Sequence, residues 1–301
     1  MAQDAEGLDA AKGAKARVRG ILLMILCTLA FALMDGLSKL LIETYPVNQI
    51  MFIRYGFFLL FVIALTRPRN VVKKLAVRRP WYQVLRAGFL VADQVVFILG
   101  LSFLALADAH VLVSAAPLLV AALSVPLLGE RVGPRRWVAV FVGFLGVVFV
   151  LHPEGDLFRP AALFPLIAAI FFALYQIMTR VVSRSDSQES TFLYTALIGM
   201  VAFALAAPFD WVPPDRDGWT LLAAVSIVGC AAHILLIKAL ALAPAALLQP
   251  FFYMILVWAV GIGYLMFDDL PAPITLAGAA AIIGAGLYTL HREHRRKGKA
   301  D

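Results

Sequence analysis

Long apolar runs, most of them close to 20 residues, alternate along this chain with short breaks that hold most of the charge. Neither the period of a surface helix nor the alternation of a half-buried strand organises these runs. They are apolar on every face, as a helix surrounded by lipid must be. A hydrocarbon slab of roughly 30 Å takes about 20 residues of helix to cross, and in lipid only helices or closed barrels satisfy every backbone N–H and C=O. The pattern therefore predicts an all-α integral membrane protein with ten transmembrane helices, at approximately 20–42, 48–66, 81–103, 108–128, 134–151, 159–182, 188–208, 218–241, 244–266 and 271–291. The eighth and ninth spans are separated only by the "LAPA" around Pro244, a residue that cannot continue a helix. The first span follows Lys12, Lys15, Arg17 and Arg19 and contains a small-x-small "AFA", as a secretory signal would. Its apolar run continues to Ile42 and makes a full span, so no cleavage is expected.

Composition agrees with this reading. Of 301 residues 62% are hydrophobic and 15% charged, more apolar surface than one soluble core can hide. The net charge of +7 comes from unevenly placed basic residues. With the N-terminus inside, 20 of the 26 Lys and Arg residues fall in the N-terminal segment, "RPRNVVKKLAVRRP", "ERVGPRR", "RVVSR" and the tail "HREHRRKGKAD", all on one side. The opposite loops are acidic, as in "HPEGD", "FDWVPPDRDG" and "FDDLPAP". Short Lys/Arg-rich loops stay in the cytoplasm, which places both termini there. Trp81, Trp137, Trp211 and Trp219 sit at or near span ends, where amphipathic rings belong. The charge is a topology signal rather than a nucleic-acid footprint, since no basic stripe with stacking aromatics stands outside the spans.

The two halves resemble each other. "FALMDGLSK" (31–39) aligns with "FALYQIMTR" (172–180), and "LSFLALADA" (101–109) with "IKALALAPA" (237–245). Each half holds five predicted spans, and an odd number makes the second half enter from the opposite face. The expected organisation is a cytoplasmic segment 1–19, a first five-helix repeat 20–151, an inverted second repeat 159–291 and a basic cytoplasmic tail 292–301. Inverted repeats of this kind build many secondary transporters, with the site near the midplane between them.

Lys39 late in the first span, Pro46, Arg54, the stretch "PLLVAALSVPLLGERVGPRRWVAVFVGFLGVVFVL" and "ALALAPAALLQPFFY" together resemble the drug/metabolite transporter superfamily, EamA type, and within it the YddG-like amino-acid exporters. The likeness spans residues 20 to 291. One departure stands out: the second half carries Asp268-Asp269 where the first has Gly129-Glu130. The resemblance implies ten helices in a bacterial inner membrane and export of amino acids or related metabolites. It also implies a midplane site lined by the first, third, fourth, sixth, eighth and ninth spans, with no catalytic signature.

Charges inside spans are expensive and mark candidate chemistry. Lys39 lies about 28 Å above Gly20 at 1.5 Å per residue, high enough for its stem to reach the surface. It reads as a structural or gating charge, paired with Asp35 in the acid-first i,i+4 order. Arg54 reads in the same way, pairing with Asp35 or Glu43. Asp93, about 18 Å into the third span, is either a protonated acid bonded to a neighbouring helix or part of the site. His233 is either a packing residue or a proton carrier. Pro117 and Pro250 interrupt corresponding helices of the two halves and expose backbone groups there. Trp258, the one mid-span tryptophan, either contacts lipid and helices or, with Tyr253, forms an apolar wall.

An amino acid leaving water needs an acceptor for its ammonium and donors for its carboxylate. Asp35 and Asp93 are the candidate acceptors, Gln94 and His233 the candidate side-chain donors, and Tyr253 with Trp258 the wall. The expected partners are a small-molecule substrate and the lipid bilayer, with protons as the candidate coupling ion and no nucleic acid. Neither cofactor nor metal is expected: there is no "GxxxxGK" loop, no HExxH and no GxSxG, and Cys27 and Cys230 lie apart in apolar runs. A multidrug or other metabolite exporter is the alternative. A channel also remains open, and a membrane enzyme fits worst.

Overall fold

Backbone groups in lipid have no water to bond, so each apolar run closes its own i to i−4 ladder. The computed structural model describes residues 2–66, 70–128, 137–138, 141–142, 145, 160–182, 185–242, 248, 251–273, 275–281 and 283–284. The helices in order are α1 (Ala2–Leu41), α2 (Val47–Thr66), α3 (Val71–Leu75), α4 (Pro80–Leu101), α5 (Leu106–Val113), α6 (Ala116–Leu128), α7 (Leu163–Val182), α8 (Gln188–Ala206), α9 (Arg216–Leu242) and α10 (Met254–Phe267). No strand occurs among the described residues. Among the described residues six helices can cross a membrane by length and composition, within 15–41, 47–66, 80–101, 160–179, 188–210 and 216–236.

Six of the expected spans are thus single long helices. Most of the fifth span and part of the tenth, with the Pro244 boundary and Pro250, lie outside the described residues. The fourth differs from the continuous helix expected over 108–128, because it breaks at Ser114 and Ala115 into α5 and α6. The cause is local. Pro117 lacks an N–H and its ring blocks the carbonyl one turn back, so the chain restarts with Pro117 as the second residue of α6, where that loss is harmless. At the break Ser114 Oγ donates to the His110 carbonyl at 2.7 Å, and Ala115 N bonds Leu112 O at 3.2 Å.

Helix packing is led by α1 against α9, α4 against α7 and α2 against α8. Small residues allow the close approach: Ala168, Ala169 and Ala173 of α7 and Ala232 of α9 are fully buried. The main apolar cluster joins α1, α4, α5, α7 and α10 around Leu101, Leu106, Leu112 and Ala259. Leu26, Leu60, Leu205 and Leu265 instead point outward, each more than half exposed. In water such a surface would aggregate, and in a bilayer it is the lipid-facing skin.

Polar contacts gather at the two ends. At the basic end Gln83 Nε2 donates to Asp186 Oδ2 at 2.8 Å, Tyr194 OH to Leu75 O at 2.9 Å, and Lys74 pairs with Glu189. At the acidic end Gln49 makes two bonds to the Val212 backbone, at 2.7 and 2.9 Å, and Tyr45 OH reaches Asp215 at 3.3 Å.

One glycine controls the α2–α8 contact. A Cβ at Gly199 would fall 2.2 Å from the Tyr55 ring, whereas a Cβ at Gly56 meets only Met200 Sδ at 3.6 Å. Gly199→Ala is therefore expected to destabilise the purified protein by about 1–3 kcal/mol through overpacking. Gly56→Ala serves as the near-neutral control, and equal melting temperatures in detergent would contradict this account.

Candidate functional site

A cavity of about 40 Å³, room for a few waters, opens between α2, α4, α8 and α9. Arg54, Tyr55 and Phe58 come from α2, Leu90 and Gln94 from α4, Thr195 from α8, and Ser226, Gly229, Cys230 and His233 from α9. Arg54 lies seven residues, about 10 Å, from the acidic-end start of α2, and Thr195 the same distance from the basic-end start of α8. The cavity is thus within the span of the bundle, between helices of both halves. These are the second, third, seventh and eighth spans, a set that shares only the third and eighth with the one the resemblance implies.

Arg54 is 8% exposed, yet among the described residues its guanidinium donates only to the sulfurs of Met34 at 2.9 Å and Met51 at 3.6 Å. Thioethers are weak acceptors, so the charge is poorly answered. The expected pairing with Asp35 or Glu43 is not made. Asp35 instead turns toward α5, with its Oδ2 3.4 Å from Nε2 of His110, and Glu43 is exposed in the turn after α1. His110 is 2% exposed and edge-on to Phe97, with ring centroids 5.2 Å apart. Sequence reasoning did not single out His110. The available signal was a histidine inside an apolar run just before a proline break.

The Asp35–Lys39 pair is also not made, because Asp35 has turned inward to His110. Lys39 Nζ bonds Asp269 Oδ2 at 3.1 Å and lies 4.6 Å over the Phe267 ring. The geometry of the α10 end brings Asp269 there. Asp268 adopts a left-handed φ of 55° and its N bonds Tyr264 O at 3.0 Å, closing an αL cap, while Asp269 N bonds Gly263 O at 3.2 Å. Asp268 therefore occupies a position where glycine is the default residue, which gives the Asp268-Asp269 departure a structural reading.

Other candidates fall in different surroundings. Gln94 and His233 line the cavity, and His233 Nδ1 donates to the Gly229 carbonyl at 2.9 Å while its ring sits 5.2 Å from Phe31 and 5.7 Å from Phe58. Asp93 is partly buried beside Gln94, and among the described residues no donor or cation comes within bonding distance of it. Tyr253 and Trp258 pack in the main apolar cluster, away from the cavity lining, with Tyr253 OH and Trp258 Nε1 unpartnered among the described residues. Among the described residues no cluster of His, Cys, Asp and Glu fits a metal ion.

Arg86, in the second turn of α4, is 1% exposed. Its Nη2 donates to Thr191 O at 2.7 Å and to Thr195 Oγ1, its Nε to Gln83 Oε1 at 3.2 Å, and its charge lies 5.3 Å from the Tyr175 ring centroid. It joins α4 and α7 to α8 at the basic end of the cavity.

A membrane-embedded bundle with a polar pocket between helices of its two halves is the architecture of a multi-pass transporter, and the comparisons identify which kind. The chain matches the EamA-like transporter family over residues 18–152 and again over 159–290, and it belongs to that family. It is 30% identical over 267 residues to the S-adenosylmethionine uptake transporter of Rickettsia bellii, covering 88% of this chain and 91% of that protein. It is 29% identical over 285 residues to the riboflavin transporter of Rhizobium johnstonii, covering 94% of each. A solved structure with 20% identity shares the fold at a TM-score of 0.64, covering 94% of this chain and 98% of that one. The family and these relatives are named as transporters, not enzymes.

Arg86→Met removes the donors that hold Thr191, Thr195 and Gln83. The expected loss is about 2–3 kcal/mol of stability, a magnitude typical of hydrogen bonds to charged groups. Thermal unfolding in detergent measures it, and an unchanged melting temperature would refute the assigned role.

Proposed function

We propose that this protein is a secondary transporter of the bacterial inner membrane that moves amino acids, or metabolites carrying an amino-acid group, by alternating access of two inverted five-helix halves, 20–151 and 159–291. The observation that carries the reading is the cavity built from α2 and α4 of one half and α8 and α9 of the other, with a buried cation on its wall. Two further facts favour the inverted repeat. The family matches the two halves separately. The helix contacts also come in exchangeable pairs: α1 packs on α9 as α7 packs on α4, and α2 touches α9 as α8 touches α4.

A cavity of about 40 Å³ is too small for an S-adenosylmethionine or an aromatic amino acid, so this arrangement is read as the closed stage of the cycle. Contacts at both ends support that reading. Gln83–Asp186 and Arg86–Thr191 tie the halves at the basic end, Gln49–Val212 and Lys39–Asp269 at the acidic end. Export is the direction proposed here. The S-adenosylmethionine relative is named for uptake, and alternating access permits either direction, with the gradient choosing.

Counterflow in proteoliposomes with labelled amino acids, S-adenosylmethionine, riboflavin and cationic drugs tests the substrate class. At least one amino-acid compound is expected to exchange, and exchange confined to riboflavin or the drugs would overturn it. Asp93→Asn should lower that flux at least tenfold while the yield of folded protein is unchanged. Normal flux would remove Asp93 from the mechanism.

Orientation has its own test. A cysteine in place of Lys73, in the basic loop, should resist a membrane-impermeant thiol reagent in intact cells and react after permeabilisation. Labelling in intact cells would reverse the proposed topology.

A further inference from the structure

Asp35 and His110 are buried together, and neither lines the cavity. Asp35 lies about 9 Å from the acidic-end limit of α1, and His110 stands in the second turn of α5. Their side chains are 11% and 3% exposed, with His110 Nε2 3.4 Å from Asp35 Oδ2. That separation is longer than the roughly 2.7–2.9 Å of a charge-assisted bond, and both imidazole nitrogens lack a hydrogen-bond partner among the described residues. Imidazole is the side chain whose charge ordinarily changes near neutral pH. With both its nitrogens free beside a buried carboxyl, it is placed to take up a proton and give it back. The other titratable and charged groups on the surrounding elements are held elsewhere or stand farther off. Lys39 of α1 bonds Asp269, Arg54 of α2 rests on the Met34 and Met51 sulfurs, and His233 of α9 is held at the Gly229 carbonyl. Asp93 of α4, Asp108 of α5, Cys230 of α9 and Tyr253 beside α10 complete the set, and among the described residues none of them bonds Asp35 or His110. From α7 come Leu166 and Ala168, in the apolar cluster beside the pair.

We propose that Asp35 and His110 form one binding site for the coupling proton of transport, separate from the substrate cavity. Uptake of a proton from water turns a carboxylate beside a neutral imidazole into an imidazolium–carboxylate pair, and release to water on the other face reverses it. No other covalent bond changes, and the two groups titrate as one unit. Geometry joins this unit to the cavity. Met34, next to Asp35 on α1, accepts from Arg54 Nη2 at 2.9 Å, and Arg54 lines the cavity. A movement of α1 that closes the 3.4 Å gap therefore also displaces the sulfur on which Arg54 rests. Arg54 and His233, both cavity residues, lie in the electrostatic field of Asp35 as well. On the other side of the pair α5 is free to follow, because it ends about one turn past His110. There Ser114 N and Oγ both bond the His110 carbonyl, at 3.0 and 2.7 Å, and the chain breaks before α6. The bound proton favours one relation of α1 to α5 and its loss favours the other. The cycle is biased by the difference in proton affinity between the two states.

This inference rests on the chain's being a secondary transporter. The test uses the full chain in proteoliposomes with labelled L-phenylalanine, S-adenosylmethionine or riboflavin. Two quantities are read for each compound: counterflow at equal pH, and net accumulation under a gradient of about one pH unit with the membrane potential clamped. Such a gradient is worth about 1.4 kcal/mol per proton, so under one of its polarities wild type should accumulate a transported compound up to about tenfold. A protonophore should abolish that accumulation. His110→Gln and Asp35→Asn should each lower the ratio of driven accumulation to counterflow by about fivefold or more. His233→Gln, which alters the buried imidazole of the cavity, should leave that ratio as in wild type. Each pair variant decides the matter alone, so failure of one to fold leaves the test intact. A merely structural role lowers both quantities in parallel, and an unchanged ratio in the pair variants overturns the proposal. Wild-type counterflow without any response to the gradient overturns it while the transporter reading stands. No counterflow of any of the three compounds by folded wild type overturns both.

Discussion

An ionised side chain within a hydrocarbon slab must find an opposite charge, a set of aligned dipoles or water, and the arrangement of this bundle follows from how each one does so. Arg86 finds a carbonyl, a hydroxyl, an amide oxygen and an aromatic face, and thereby joins α4 and α7 to α8. Lys39 finds Asp269, which ties the last turn of α1 to the segment after α10. Asp35 finds His110 across to α5. Each solution costs freedom of movement between helices, and each joins elements far apart in the chain.

Those ties divide by location. The contacts at the basic end run between the α3–α4 region and α8, and those at the acidic end run from α1 and α2 to the loops flanking α9 and α10. Between them the packing is mostly apolar around the polar cavity, with Gly199 letting the Tyr55 ring lie against α8. In the proposed cycle one set of end contacts opens while the other holds. Hydrogen bonds at the water boundary suit this role, since groups released there are rehydrated at little net cost. The αL cap at Asp268 shows the same logic in the backbone: a left-handed residue ends α10 sharply and returns Asp269 toward Lys39. The Asp268-Asp269 departure from the first repeat thus acquires a geometric consequence.

Family membership narrows chemistry less than it narrows architecture. Relatives of similar identity are named for S-adenosylmethionine and for riboflavin, molecules with different charges and shapes. In the proposed reading specificity resides in the few polar groups that face the cavity rather than in the fold. Arg54, Tyr55, Gln94 and His233 are the cavity residues on which that argument turns here.

Helical class, the positions of six long spans and the sorting of charge between two ends were all legible in the linear pattern. Each depends on composition over about 20 residues and on the hydrocarbon thickness alone. Gln94 and His233 could be marked as candidates because polar side chains stand out in apolar runs. Pairing was not legible. Placing Asp35 beside Lys39 used the i,i+4 spacing of a single helix, but the rotation of α1 about its axis, set by its packing on α9 and α10, turns Asp35 toward His110 instead. Arg86 stands in the second turn of α4, a depth from which a long stem can reach water, and only the approach of α8 buries it. Tyr253 and Trp258 looked like a substrate wall by residue type, yet they fall in the apolar cluster because α10 packs against α1 and α5. A sequence records how deep each side chain lies in the membrane, whereas which neighbour it meets depends on helix rotation and contact, quantities that only the assembled bundle defines.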